Sequence, residues 1–213
     1  LTSLAIGNVA NQDVIARAYG IPPLVDLIGD AYGSEEQLYA AGALAELARN
    51  HPKNQVAIAK AGSIMPLVKL LLVDDCQGAP LRAKEEAAGA LWTLASNSHA
   101  NQVAIAEAGG ISPLVALLDV SSLRAQEKAA GALSALALDN QPNKTAIATM
   151  LVAMLNPKDW KASAKGARAI ARVACAHPNN QEAIAVAGGI EVLVRLLRDG
   201  AADKPGVAAF MQK

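Results

Sequence analysis

The chain has 213 residues, 53% of them hydrophobic and 18% charged, and its 19 Lys and Arg balance 19 Asp and Glu to a formal charge of zero. Such a composition is that of a core-forming globular chain, and its neutrality argues against a general nucleic-acid or anionic-membrane surface, which needs an excess of Lys and Arg. The longest uncharged run, 87–106, carries Asn-Ser-His-Ala-Asn-Gln in its middle and cannot cross a bilayer as one apolar helix.

In chain order, "LTSLAIGNVANQ" at the start aligns with "LAELARNHPKNQ" further on, so residues 1–10 read as the end of a helix belonging to an earlier repeat. The chain begins with Leu1, shows no signal-peptide pattern, and is expected to be a piece of a longer protein. An Asn then recurs at Asn11, Asn54, Asn101, Asn143 and Asn180, spaced by 43, 47, 42 and 37 residues. A fixed period of this size is the mark of a repeat array. The repeats are 11–53, 54–100, 101–142 and 143–179, with partial repeats at 1–10 and 180–213, in one array over 1–213.

Within the second repeat a short amphipathic run, Val56 to Lys60, ends at Gly62; a second begins near Pro66, where proline suits a first helical turn; a third runs from Leu81 to Ala95. Glycine is expected to close each first helix in the left-handed conformation, at Gly20, Gly62, Gly109 and Gly188. Strand patterning is lacking, and only six aromatic residues are present. Two repeats depart from the pattern. "VDDCQGAP", Val73 to Pro80, lengthens a connection in the second. In the fourth, "NKTAIATMLVAML" has no counterpart of Ala108 to Ser112, so either its first two helices merge or residues are joined across a missing loop.

"NQVAIAEAGGISPLVALL", 101–118, nearly repeats "NQVAIAKAGSIMPLVKLL", 54–71, and with the "AQEKAAGALSALAL" that follows it resembles the armadillo repeat. The resemblance covers nearly the whole chain. It implies an all-α fold, a right-handed superhelical solenoid of three-helix repeats whose third helices line a concave groove that binds other proteins. Stacking is also what physics asks of such a repeat, because three short helices with one apolar side cannot bury that side alone.

At about 100° per residue, Arg82, Glu86, Gly89 and Thr93 form one stripe on the third helix of the second repeat, opposite Leu81, Ala88, Leu91 and Leu94. The corresponding residues are Glu35, Tyr39, Gly42 and Glu46 in the first repeat, Arg124, Lys128, Gly131 and Ala135 in the third, and Lys161, Lys165, Arg168 and Arg172 in the fourth. These residues are the candidate partner-binding groove, running from acidic to basic. Mid-helix Gly42, Gly89 and Gly131 each cost about 1 kcal/mol against Ala; the favoured reason is inheritance from one duplicated repeat whose neighbouring helices pack closely, and the alternative is that a missing side chain lets a ligand backbone approach the groove floor. Trp92 stands where other repeats carry Ala45, Ser134 and Ala171, and is expected to pack in the core or between repeats, the alternative being a binding anchor. Importin-α-like members of the family bind basic peptides through a ladder of Trp and Asn; the matching positions here hold Gly42, Gly89, Gly131 and Arg168, and Glu46, Thr93, Ala135 and Arg172, so the ladder is absent.

No catalytic constellation emerges. His51, His99 and His177 each precede a repeat-opening Asn and read as turn residues; Cys175 and His177, two apart, do not share a helical face. Two cysteines are too few for a disulfide framework or a zinc site and favour a reducing compartment, so the protein is expected in the cytosol or nucleus. No cofactor, metal or enzyme activity is expected. The favoured function is a non-catalytic scaffold or adaptor that binds a protein or peptide segment along the groove, acidic or phosphorylated at the basic end. The alternatives are a structural subunit of a larger assembly, using end-to-end contacts, and the substrate-recruiting segment of a multidomain enzyme.

Overall fold

The computed structural model describes residues 1–30, 35–73, 81–175 and 177–202, which form α-helices and no strand. The helices are α1 (Thr2–Ala5), α2 (Val9–Arg17), α3 (Ile21–Asp30), α4 (Glu35–Ala48), α5 (Pro52–Lys60), α6 (Ile64–Leu72), α7 (Leu81–Ala95), α8 (His99–Glu107), α9 (Ile111–Leu117), α10 (Leu123–Ala137), α11 (Gln141–Ala153), α12 (Trp160–Ala174), α13 (Pro178–Val186) and α14 (Gly189–Ala202). The chain divides into two compact units, Leu1–Asn143 and Lys144–Lys213. The expected loop over Asp74–Pro80, with Cys76, lies outside the described residues.

In the first unit three triplets follow one another, α2–α3–α4, α5–α6–α7 and α8–α9–α10. The second helix of each packs on the third, and α4, α7 and α10 pack side by side. The third helices carry the core: Leu44, Leu47, Leu91, Leu94, Leu133 and Leu136 are all 0% exposed. Each such side chain contributes about 1.5–3 kcal/mol by leaving water.

Two turns define each triplet. Between a third helix and the next first helix, Gly7, Asn50, Asn97 and Asp139 all adopt positive φ. Between first and second helices the left-handed residue is Gly62, Gly109 and Gly188, as expected, but in the first repeat it is Tyr19, with φ 57°, and not Gly20. The reason lies in the next position of the turn. A Cβ there would press on the preceding helix: at Gly110 it would sit 2.8 Å from Ile105 Cγ2, and at Gly20 2.8 Å from Ile15 Cγ2. With one glycine available, the first repeat places it at the crowded position and strains Tyr19 instead.

The Asn-Gln pair that opens the repeats is the joint of the array. The side-chain amides of Asn11, Asn54, Asn101, Asn143 and Asn180 donate to the carbonyl oxygens of Leu4, Leu47, Leu94, Leu136 and Val173, each seven residues back, at 2.8–3.0 Å. They thereby satisfy carbonyls in the last turn of the preceding third helix. The glutamines reach forward to the next third helix: Gln12 donates to Glu46 O at 2.7 Å, Gln55 to Thr93 O at 2.9 Å, and Gln102 to Ala135 O at 2.9 Å. The histidine at the turn is a cap, since the His51 Nδ1 accepts from the Asn54 N–H, as Asn8 and Asn140 accept from Asn11 and Asn143. Its Nε2 then carries the proton and faces Asp13 Oδ1 at 3.1 Å.

In the fourth repeat the first two helices are merged. Where two helices and a turn stand elsewhere, α11 runs unbroken from Gln141 to Ala153. With the turn residues missing nothing interrupts the helical ladder, so this repeat has two helices and the three-helix pattern does not hold in it. Lys144 takes the place of the joint glutamine, and the division between compact units falls here. In the second unit α13 packs on both α12 and α14.

Candidate functional site

Because α4, α7 and α10 lie side by side, their stripe residues form a ladder across the first unit. Tyr39, Glu46, Arg82, Glu86 and Arg124, all read from the sequence, line one open groove of about 510 Å³. Leu1 and Ile6 from the α1 end, and Leu38 of α4, also line it. They were not anticipated, since apolar periodicity alone assigns them to a core. Glu35 is exposed in the first turn of α4 and is not among the lining residues.

The acids of this groove are already matched. Glu86 lies 2.7 Å from Lys128 Nζ and 3.2 Å from Arg124 Nη2. Glu85, buried beneath, accepts from Ser122 Oγ and stands 3.9 Å from Arg124 Nε. Glu46 pairs with Arg49 at 2.9 Å. The hydrogen bond from Glu46, against some desolvation and with the further charges of Glu46 and Glu86, holds the Arg49 guanidinium above its ordinary pKa. The stripe therefore does not present a bare acidic end. Arg82 and Tyr39 are exposed, and among the described residues neither makes a hydrogen bond or ion pair.

Side chains from a neighbouring third helix fill the space above the stripe glycines. A Cβ on Gly42 would meet the Glu86 carboxylate at 3.5 Å, one on Gly89 the Lys128 stem at 3.2 Å, and one on Gly131 the Trp92 ring at 2.6 Å. Trp92 thus reaches from α7 onto α10, packed between repeats as expected, while 39% of it stays exposed. Thr93 behaves differently from the groove residue it was read to be: it is 6% exposed, and its hydroxyl donates to Ala90 O at 2.9 Å. Its carbonyl oxygen accepts from the Gln55 side chain at 2.9 Å.

On α12, in the second unit, Lys161, Lys165 and Arg168 are exposed and Arg172 half-buried, while Ser163, Gly166, Ala169, Ile170 and Val173 form the buried face. The helix separates its two faces as the 4, 3, 4 spacing of the cations requires. Asp159 caps it, its Oδ1 accepting from the Lys161 and Ala162 N–H groups. Among the described residues no three of His, Cys, Asp and Glu are placed to hold a metal ion, and no single helix is long and apolar enough to cross a membrane. Cys175 is an exposed free thiol.

The armadillo/beta-catenin-like repeat model matches residues 98–137. No curated protein matches the chain. Among solved structures, an engineered protein is 32% identical, covering 99% of this chain and 84% of its own, with a TM-score of 0.68. A designed armadillo repeat protein in complex with the peptide (KR)4 is 26% identical over 99% of this chain and 87% of its own, with a TM-score of 0.67. Computationally designed armadillo repeat proteins for modular peptide recognition are 26% identical over 91% and 81%, with a TM-score of 0.66. The helix triplets, the repeat matched inside them and the relatives that share their course from end to end place this chain in the armadillo-repeat family.

Proposed function

We propose that the chain is a non-catalytic scaffold that holds a segment of a partner protein against its third helices. The observation that carries this reading is the open groove of the first unit, preformed by packed helices and lined by Tyr39, Arg82 and Arg124 beside apolar Leu38. Concave, preorganised surfaces with a few polar groups are where segments bind. The designed relative holds a basic peptide. Here Glu46 and Glu86 already have cationic partners, which argues for a segment of different charge. The α12 face, with four cations and no interleaved acid, takes an acidic or phosphorylated segment.

The test uses a fluorescent acidic octapeptide and its phosphoserine counterpart. Lys161→Glu with Arg168→Glu should weaken binding by about tenfold or more and flatten its salt dependence. The thermal midpoint should hold, because exposed surface charges contribute little to folding. Unchanged affinity and salt response in the double variant would reduce the α12 cations to a solvated face.

A further inference from the structure

Inside the first unit the chain shows how one third helix holds a carboxylate presented by another. Arg124 and Lys128, four residues apart on α10, converge on Glu86 of α7: its Oε1 lies 3.2 Å from Arg124 Nη2 and its Oε2 lies 2.7 Å from Lys128 Nζ. Residues at this spacing are neighbours on one helical face, so one carboxylate reaches both. The stem of Lys128 then lies over Gly89, three residues beyond the acid, where a Cβ would stand 3.2 Å from Lys128 Cδ. After this one pair the α10 stripe turns small, with Gly131 beneath the Trp92 ring and then Ala135.

α12 carries the same pair and does not stop. Lys161 and Lys165 hold the places of Arg124 and Lys128, and Arg168 and Arg172 stand where α10 has Gly131 and Ala135. The second pair follows the first by seven residues, two helical turns or about 10.5 Å along the axis. Lys161, Lys165 and Arg168 are exposed, and among the described residues the side chains of Lys161, Arg168 and Arg172 make no ion pair. Residues 144–213 hold ten Lys and Arg against five Asp and Glu, a net of +5, which draws a negative partner to this unit from a distance.

We propose that the partner segment on α12 is itself a helix, laid alongside as α7 lies alongside α10, with two carboxylates seven residues apart and a small residue three positions after the first. One carboxylate bridges Lys161 and Lys165, the other Arg168 and Arg172. Two helices share one rise per residue, so acids and cation pairs stay in step over both turns. An extended chain covers about 10.5 Å in about three residues, an odd number, and its side chains alternate, so its second acid would point away. Helical binding rests on α12 being an acid-binding face and adds to it the conformation and spacing of what binds.

The test uses three alanine-based peptides of about eighteen residues, long enough to form helix. One has two Glu seven residues apart; one has the same composition with the two Glu five apart, on different faces; one keeps the spacing of seven but carries a central proline that breaks the helix. Fluorescence anisotropy should show the first binding at least about fivefold tighter than the other two. Lys161→Ala and Arg168→Ala should each weaken it about threefold. Replacing the first Glu by Gln should cancel the effect of Lys161→Ala and leave that of Arg168→Ala intact. Both positions are exposed, so helical circular dichroism of the variants should match the parent. Equal binding of all three peptides, lost in Lys161→Glu with Arg168→Glu, would overturn the helical partner and leave the acid-binding face standing; so would binding of the acidic octapeptide alone. Losses that do not depend on which Glu is present would overturn the two-rung pairing. No binding by any of these peptides would overturn the acid-binding face as well.

Discussion

The Gln55 side-chain amide donates to the carbonyl oxygen of Thr93 at 2.9 Å, across thirty-eight residues of chain, and ties the first helix of the second repeat to the third helix of the same repeat. Gln102 does the same with Ala135 and also with Leu138 at 3.1 Å.

Removing such a donor leaves buried carbonyls without a partner. Gln102→Ala should cost about 1–3 kcal/mol in urea unfolding. Gln102→Glu is the sharper probe, because it keeps an acceptor for Asn140 but loses the donor. Its buried carboxylate would face carbonyl oxygens, so its pKa would be raised on folding. The penalty relative to the parent is then full above the raised folded value and fades as pH falls toward the ordinary Glu value of about 4.3, where a protonated carboxyl can donate. An equal penalty at neutral and acid pH would show that the lost donor is not what matters.

Gly131 exists to seat Trp92. Gly131→Ala should destabilise by about 1–3 kcal/mol, because its Cβ would collide with the indole. In a Trp92→Ala background the same change should stabilise by up to about 1 kcal/mol, the ordinary helix gain of Ala over Gly. Gly42→Ala, where the nearest atom is at an ordinary contact distance, should gain in either background. A double-mutant cycle with no coupling between positions 92 and 131 would refute the seating role.

Ser63 stands where the third repeat has Gly110. Its hydroxyl is buried without a hydrogen-bond partner, and its N–H reaches Ile58 O at 3.5 Å, against 2.9 Å for Gly110 to Ile105 O. Ser63→Ala should therefore stabilise by about 1 kcal/mol, measured as a shift in denaturation midpoint at constant m-value. A loss of stability would mean that the hydroxyl serves an interaction of its own.

The helices and their period were legible because helix-ending glycines, Pro66 and the opening asparagines act within a few residues of themselves. The run Leu81 to Ala95 matches α7 end to end. The partners of Gln12, Gln55 and Gln102 were not legible, since they are main-chain carbonyls more than thirty residues away with no sequence signature. Gly20 is not the left-handed residue expected because glycine can serve two purposes in one turn, and composition does not say which. In the groove, Arg82 and Tyr39 could be placed by helical angle alone. The neutralisation of Glu46 and Glu86 depended on contacts to Arg49, Arg124 and Lys128 that only the packed structure reveals.

The forward-reaching glutamines select main-chain atoms at residues 46, 93 and 135, where the side chains are Glu, Thr and Ala. A bond to a carbonyl places no demand on the residue that bears it. Recognition and packing therefore draw on separate parts of the same residues, and the inner surface can be rewritten one letter at a time while the bonds that hold each repeat's first helix to its third stay as they are.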